Sequence, residues 1–126
     1  MITVTLDLYS GRANPSFVLQ EQEEDAVLQW LAQLPETSGQ FPIPDQLGYR
    51  GLCLEGAPSP WAPRIIVHQG RVYSALNAMQ VSLTTYDGKR GMERRLLHLA
   101  LSKFSGEWAM VVEQLLAEME KEGTGV

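Results

Sequence analysis

The strongest constraint on the fold is a strict alternation of apolar and polar residues at the start of the chain. Ile2, Val4, Leu6 and Leu8 alternate with Thr3, Thr5, Asp7 and Tyr9. A period of two places alternate side chains on opposite sides of a strand, so residues 2–9 are expected to form a strand with one buried face. Such a strand must bury its apolar face against other strands or helices.

Further stretches of the chain also have the composition of strands. They are residues 17–19, 48–54, 64–68 and 71–75. The last two flank Gln69-Gly70, and a two-residue turn that ends in glycine is typical of a β-hairpin with positive φ. The glycines within 48–54 indicate a bulge or the close approach of another backbone. A shorter alternation favours one more strand at 79–85.

Three segments have helical spacing instead. Val27, Leu31 and Leu34 fall on one face of a first helix. Pro35 ends this helix, but no good N-cap residue marks its start. Toward the C-terminus apolar residues again recur at helical spacing, and Ser105 is expected to cap the last helix after a break.

The predicted order of elements is ββ-α-ββ(β)-α-α. No repeat or long linker divides the chain, so we expect a single domain over residues 1–126. Helices that cover one face of a mainly antiparallel sheet are the economical packing for this set. We therefore predict an α+β fold, with a sheet of four or five strands and about three helices packed on one face.

Composition fits a single globular domain and excludes some classes of function. Hydrophobic residues make up 44% of the chain, and 15 acidic against 10 basic residues give a formal net charge of −5. That charge argues against general nucleic-acid binding. No apolar run approaches the ~20 residues of a membrane span. The chain start lacks the basic region of a signal peptide, and the single cysteine, Cys53, favours a reducing compartment, so we expect a cytoplasmic protein.

Recognisable catalytic and metal-binding motifs are absent from the sequence. His68 and His98 are far apart and belong to no paired-ligand motif, and Cys53 has no CxxC companion. Cys53 stands between two leucines, which favours an inert buried thiol. The carboxylates at 21–25 and 113–122 are expected to form solvated faces. We therefore predict a chain that is not an enzyme on its own and that holds no metal or cofactor.

The first candidate binding surface is the loop at 10–16, taken together with Arg50. Arg12 and Asn14 carry several hydrogen-bonding groups in a segment rich in turn formers. Ligand contact is one interpretation of this loop. The alternative is a structural loop, with Asn14 in a turn conformation and Arg12 paired with Asp7 or a carbonyl group.

The second candidate surface is a basic cluster at the predicted start of a helix. It consists of Lys89, Arg90, Arg94 and Arg95, four of the ten basic residues of the chain. Cations at a helix N-terminus oppose its dipole by ~0.3–1 kcal/mol each, so an acidic partner segment or a peptide carboxylate would relieve the repulsion. Alternatively, Glu93 and the acidic C-terminal helix already neutralise the cluster.

The third candidate is Trp61, which stands among three prolines in residues 57–63. A tryptophan on a stiff loop is a good anchor for a protein interface, because little entropy is lost on docking. The alternative is that Trp61 plugs the bottom of the sheet.

Two segments, Asp7–Leu19 and Leu47–Leu52, are similar to a group of small proteins. Members of this group open with a strand followed by Ser-Gly-Arg-Pro-Asn-Pro and an aromatic residue, and many carry Leu-Gly-Tyr-Arg-Gly further on. This chain has Ser-Gly-Arg-Ala-Asn-Pro and then Leu-Gly-Tyr-Arg-Gly. Ala13 stands where the group has proline, and Phe17 stands where tryptophan is common.

The group resembles accessory subunits in the biosynthesis of ribosomally made peptide natural products (RiPPs). An example is the partner of the TIM-barrel iron enzyme in 3-thiaglutamate-type pathways. The resemblance implies a hetero-oligomer in which the larger subunit holds the iron and performs the oxidation. The small subunit then supports the complex and helps to bind the precursor peptide, for which pairing with a sheet edge is the natural mode.

Three hypotheses follow for the function. The first is a non-catalytic accessory subunit that binds a larger enzyme, a peptide substrate, or both, without nucleic acid or membrane. The second is a small stand-alone enzyme or ligand-binding domain that uses Arg12, Asn14, Arg50 and His68, and it requires a concave pocket where these residues converge. The third is an immunity or antitoxin-like protein, which small size and acidic charge suggest.

Overall fold

A computed structural model of the chain describes residues 1–8, 13–34, 48–57, 64–75, 81–86 and 90–124. For residues 75, 81–86 and 122–124 it describes the backbone alone. The elements are β1 (Thr3–Asp7), β2 (Ser16–Val18), α1 (Glu21–Gln33), β3 (Gly51–Glu55), β4 (Arg64–His68), β5 (Arg71–Ala75), β6 (Val81–Tyr86), α2 (Gly91–Lys103) and α3 (Gly106–Thr124). The predicted α+β class is confirmed.

The strands form one antiparallel sheet in the order β2-β1-β3-β4-β5-β6. Within the described ranges the sheet has six strands, because both the short β2 and the late β6 pair into it. β1 lies inside the sheet rather than at its edge, between β2 and β3. The first strand of the chain therefore needs a partner from beyond α1 to complete its hydrogen bonding.

The core lies on the sheet face that the N-terminal alternation predicted. The register aligns Val4 with Leu54 and Ile65, and Leu6 with Leu52, Val67 and Val72. All of these side chains are fully buried. Residues of all three helices join the same cluster, including Val27, Leu31, Leu96, Ala100 and Val112. Fully burying one such side chain contributes roughly 1.5–3 kcal/mol, which makes this face the main source of stability.

The hairpin between β4 and β5 turns at Gln69-Gly70, as predicted. Gln69 has φ 52° and Gly70 has φ 80°. Two successive positive φ values match the right-handed twist of the flanking strands. His68 pairs with Arg71 to close the turn, so this hairpin fixes His68 at the end of β4.

The predicted close backbone approach in the third strand occurs at Gly51. Its φ is +104°, and a Cβ atom there would lie 2.4 Å from the carbonyl oxygen of Val67. A side chain at this position is therefore excluded by space as well as by backbone conformation. Gly51 thereby allows β3 to begin directly after Tyr49 and Arg50.

The acidic first turn of α1 is more than a solvated face. The Glu23 carboxylate accepts a 2.8 Å hydrogen bond from the Gln20 backbone N–H and lies 3.1 Å from the Lys103 ammonium nitrogen. Glu24 accepts a 3.0 Å hydrogen bond from the backbone N–H of Ile2. These carboxylates stabilise the start of α1 and connect it to α2 and β1, which explains how the helix begins without a Ser, Thr, Asp or Asn cap.

We expect Glu23→Ala to lower the free energy of unfolding by about 0.5–1.5 kcal/mol, from the lost cap and a partly exposed ion pair. The bond from Gln20 and the Lys103 charge lower the pKa of Glu23 below 4.5. A lowered folded-state pKa stabilises the fold above the unfolded-state pKa, and this contribution is lost as pH falls. The difference between wild type and variant should therefore shrink below about pH 4.5. Urea unfolding at several pH values measures it.

Glu21→Ala is the matched control, because Glu21 lies exposed in the same first turn. It changes the helix dipole interaction but removes neither of the two bonds that Glu23 makes. Equal losses in the two variants, or a Glu23 effect that does not depend on pH, would contradict the capping role of Glu23.

Candidate functional site

The predicted residues Asn14 and Arg50 meet at one carboxylate, that of Asp7. Arg50 contacts Asp7 Oδ1 through Nε at 3.2 Å and through Nη2 at 3.1 Å, and its backbone N–H donates to the Asp7 carbonyl at 2.8 Å. Asn14 Oδ1 accepts a 3.0 Å hydrogen bond from the Leu8 backbone N–H, and Asn14 Nδ2 lies 3.5 Å from Asp7 Oδ1. This network ties the loop after β1 to the lead-in of β3. Among the described residues, Arg50 is the ion-pair partner of Asp7.

Three predicted site residues, Arg12, Trp61 and Lys89, lie outside the described residues. Their roles in binding stay predictions.

The three described arginines of the basic cluster each have a partner within the chain. Arg90 forms an ion pair with Glu93, and Arg94 Nη2 donates a 2.9 Å hydrogen bond to the Met119 carbonyl of α3. The Arg95 guanidinium carbon lies 5.3 Å from the centroid of the Trp30 ring of α1. Arg95 is exposed, whereas Arg94 is half-buried and its Nε is buried without a partner among the described residues. Arg94 therefore joins α2 to α3, and Arg95 presents its charge at the surface.

A buried carboxylate organises the centre of the region. Glu93 is 0% exposed. It receives two 2.8 Å hydrogen bonds from Arg90, one from the Tyr49 hydroxyl and a 3.4 Å contact from the Gly70 backbone N–H. A buried charge is tolerated when it is paired and hydrogen-bonded, as it is here on both oxygens.

The buried position of Glu93 was not predicted from the sequence, although its place on the helix indicated it. Glu93 falls on the same helical face as Leu96, Leu97 and Ala100, all of which are buried. An acidic residue on an apolar helical stripe requires a buried partner. The partners of Glu93 are the Arg90 side chain, the Gly70 backbone N–H in the hairpin turn and the Tyr49 hydroxyl before β3. Arg90 itself adopts a left-handed backbone with φ 56°.

Tyr49 and His68 line a cleft next to this carboxylate. Their rings meet edge to face, with centroids 5.5 Å apart. Burial and the neighbouring Glu93 raise the pKa of Tyr49 well above its ordinary value, so the hydroxyl stays protonated and donates to Glu93. Burial lowers the pKa of His68, which favours the neutral imidazole. His68 Nε2 is buried and has no hydrogen-bond partner among the residues described.

The cleft has a volume of about 120 Å³. It is lined by Tyr49, His68, Gln69 and Arg90, and by Leu115, Glu118 and Met119 of α3. None of Asp7, Asn14 or Arg50 lines it. The structure thus separates the described residues of the second hypothesis: Asn14 and Arg50 meet at Asp7, whereas His68 lies at the cleft.

Cys53 lies on the sheet face opposite the core, in register with Thr5 and Ile66. It is half-buried and forms no disulfide. Burial raises the pKa of its thiol to about 11, so the thiol is protonated at neutral pH. A protonated thiol is a weak nucleophile and a poor metal ligand.

Within the described ranges, no group of three or more His, Cys, Asp or Glu side chains is placed to hold a metal ion. Among the same residues, no helix is both long enough and apolar enough to cross a membrane.

Comparison with known proteins found no match to a family model, to a curated protein or to a solved structure.

We expect Glu93→Ala to lower the free energy of unfolding by about 3–5 kcal/mol, because it removes the buried carboxylate that pairs with the half-buried Arg90 charge. The double variant Arg90→Met with Glu93→Leu removes both charges and should recover part of that loss. Urea unfolding monitored by circular dichroism measures all of the variants.

Glu113→Ala is the control, since Glu113 is exposed on α3, and its effect should stay within about 0.5 kcal/mol. If Glu93→Ala were no more destabilising than this control, the buried ion pair would have no structural role.

Proposed function

We propose that this chain is a non-catalytic recognition subunit that binds a larger biosynthetic enzyme together with an extended precursor peptide. An iron-dependent, peptide-modifying oxidase is the partner class that the resemblance of the Ser-Gly-Arg-Ala-Asn-Pro loop suggests. The iron and the oxidation would then belong to the partner. This chain would supply a surface that holds the peptide in an extended conformation.

The observation that carries the proposal is the edge strand β6. It pairs with β5 on one side, and no described residue pairs with its other side. Its sequence, Val-Ser-Leu-Thr-Thr-Tyr, contains no charge and no proline. Edge strands in monomeric proteins are usually protected by such residues, because a free edge offers a row of N–H and C=O groups to another chain. An edge strand of six residues that carries neither of these guards, with one register irregularity between Val81 and Leu83, is suited to strand addition by a peptide.

The rest of the sheet supports β6 as the docking edge. The opposite edge strand, β2, is three residues long and offers a much shorter ladder. β6 adjoins the β4–β5 hairpin, whose turn is held by the Glu93 carboxylate through Gly70. A preorganised edge loses less conformational entropy when a peptide binds, which raises affinity.

The direct test is co-expression of the chain with the products of its neighbouring genes, followed by purification through a tag on this chain. We expect a stable complex with a larger enzyme or its peptide substrate. Recovery of the chain as a free monomer beside every neighbouring product would overturn the proposal.

Proline substitutions in β6 test the docking edge itself. Adjacent N–H groups of a strand point in opposite directions. Of the two variants Thr84→Pro and Thr85→Pro, one therefore removes an N–H that points away from the sheet, and the other removes a hydrogen bond to β5. We expect the variant with near wild-type stability to lose peptide binding by tenfold or more. Thermal unfolding identifies that variant, and isothermal titration with the co-purified peptide measures its affinity.

The two proline variants control for each other, since they differ by one position and in the direction of the lost N–H. Full peptide affinity in the stable variant would exclude strand addition at β6. If the wild type formed a homodimer and the stable variant were a monomer, the β6 edge would instead be assigned to self-association.

The basic cluster gives a separate test of an acidic partner segment. Arg95→Glu should keep the fold, losing about 0.5–1 kcal/mol from the contact with Trp30, and should weaken binding to an acidic segment. Arg94→Glu should destabilise the domain by roughly 1–3 kcal/mol, because it removes the bond to the Met119 carbonyl and places a half-buried carboxylate near that oxygen. Arg95 is therefore the informative position for binding.

Arg64→Glu is a control with the same charge change at an exposed position in β4. Equal affinity of the co-purified partner for wild type, Arg95→Glu and Arg64→Glu would remove the basic cluster from the binding surface.

A further inference from the structure

We propose that the cleft beside His68 is a binding site for a small uncharged group that both donates and accepts hydrogen bonds, with a primary carboxamide as the best fit. The site is distinct from the edge of β6 and does not depend on peptide binding there.

The first argument is the unsatisfied imidazole nitrogen. His68 is 6% exposed, and its Nε2 is buried without a hydrogen-bond partner among the described residues. Leaving a buried polar atom unpaired costs about 1–3 kcal/mol, so such an atom next to a cleft is a candidate ligand contact. The fold holds His68 firmly, between the hairpin turn and the ring of Tyr49.

The second argument is the size and lining of the cleft. Its volume of about 120 Å³ accommodates a group of a few heavy atoms. Leu115 and Met119 provide apolar contact, while Gln69 provides an amide that can donate and accept. A neutral imidazole also has one donor and one acceptor nitrogen, so the polar lining complements a group with both functions.

The third argument is the balance of charge around His68. Arg90 is paired with Glu93, and Asp7 is paired with Arg50. The other charged residues described near the cleft are Arg71, whose backbone is in register with His68 across the hairpin, and Glu118 at the lining. The formal charges of these described residues cancel, so together they give an ionic ligand no net attraction that offsets its desolvation. An uncharged ligand avoids that cost.

An isosteric series of probes tests the charge preference. Acetamide, acetate and acetamidinium share one planar shape but are neutral, anionic and cationic. Each is titrated into the intact, uniformly ¹⁵N-labelled chain, and the imidazole nitrogen shifts of His68 are followed by NMR at neutral pH. We expect saturable shifts with acetamide, at a midpoint concentration at least tenfold lower than with acetate or acetamidinium.

His98 is the internal control, because it is exposed on α2 and is not among the described residues that line the cleft. The imidazole ¹⁵N chemical shifts of His98 should change only with the bulk solvent and should show no saturation. Equal responses of the two histidines, a preference for either ion, or no saturable shift at His68 would each overturn the proposal. The last result would mean that the cleft holds water only.

Filling the cleft provides the matched variant. Leu115→Trp should abolish the acetamide response of His68 while thermal unfolding reports an intact fold. Glu118→Trp, at an exposed position of the lining, is the second blocking variant if the first disturbs packing. An undiminished acetamide response in a folded blocking variant would place the site elsewhere.

The carboxamide can come from a free small molecule or from a side chain of a peptide. A short blocked peptide with a central glutamine is compared with the same peptide carrying methionine, which has a similar length but no amide. Tighter binding of the glutamine peptide than of acetamide assigns the cleft to a side chain. Similar midpoints for the glutamine peptide and acetamide assign it to a small free amide. Loss of peptide binding at β6 in the proline variants leaves the acetamide titration unaffected, so the two proposals fail separately.

Discussion

Much of the local structure depends on the buried carboxylate of Glu93. It joins three segments that are distant in the chain: the start of α2 through Arg90, the lead-in to β3 through Tyr49, and the β4–β5 hairpin through Gly70. The ion pair also offsets the left-handed backbone of Arg90, a conformation that costs a non-glycine residue about 1–2 kcal/mol. The cleft at His68 exists because these three segments are held together.

The apolar face of the sheet is the complementary constraint, and it was predictable in some detail. Alternation at Val4 and Leu6 places them toward the core, and both are fully buried. The hairpin turn at Gln69-Gly70 was equally readable, because a two-residue loop has few conformations that match strand twist. These two features could be predicted because each depends on residues within a short stretch of sequence.

The role of the basic cluster could not be predicted from the sequence. Positive charge at a helix start is compatible with an open binding surface and with a neutralised face, and no neighbouring residue decides between the two. The structure divides the cluster by partner: Arg90 holds a buried carboxylate, Arg94 holds a carbonyl of α3, and Arg95 lies exposed over Trp30. Each partner except Glu93 is far away in sequence, so periodicity and composition carry no information about it.

The sequence by itself determined the α+β class, the hairpin, the helical segments and the apolar face. Each of these depends on local backbone preferences and on the strand or helix period, which neighbouring residues determine. Tertiary structure alone decided that β1 lies between β2 and β3, that Asn14 and Arg50 converge on Asp7, and that His68 adjoins a cleft. Those outcomes depend on which distant segments share the core. Strand order and side-chain pairing depend on the packing of the whole domain. A buried charge or backbone N–H is stable only when it is paired, and its partner can come from any segment that packs beside it.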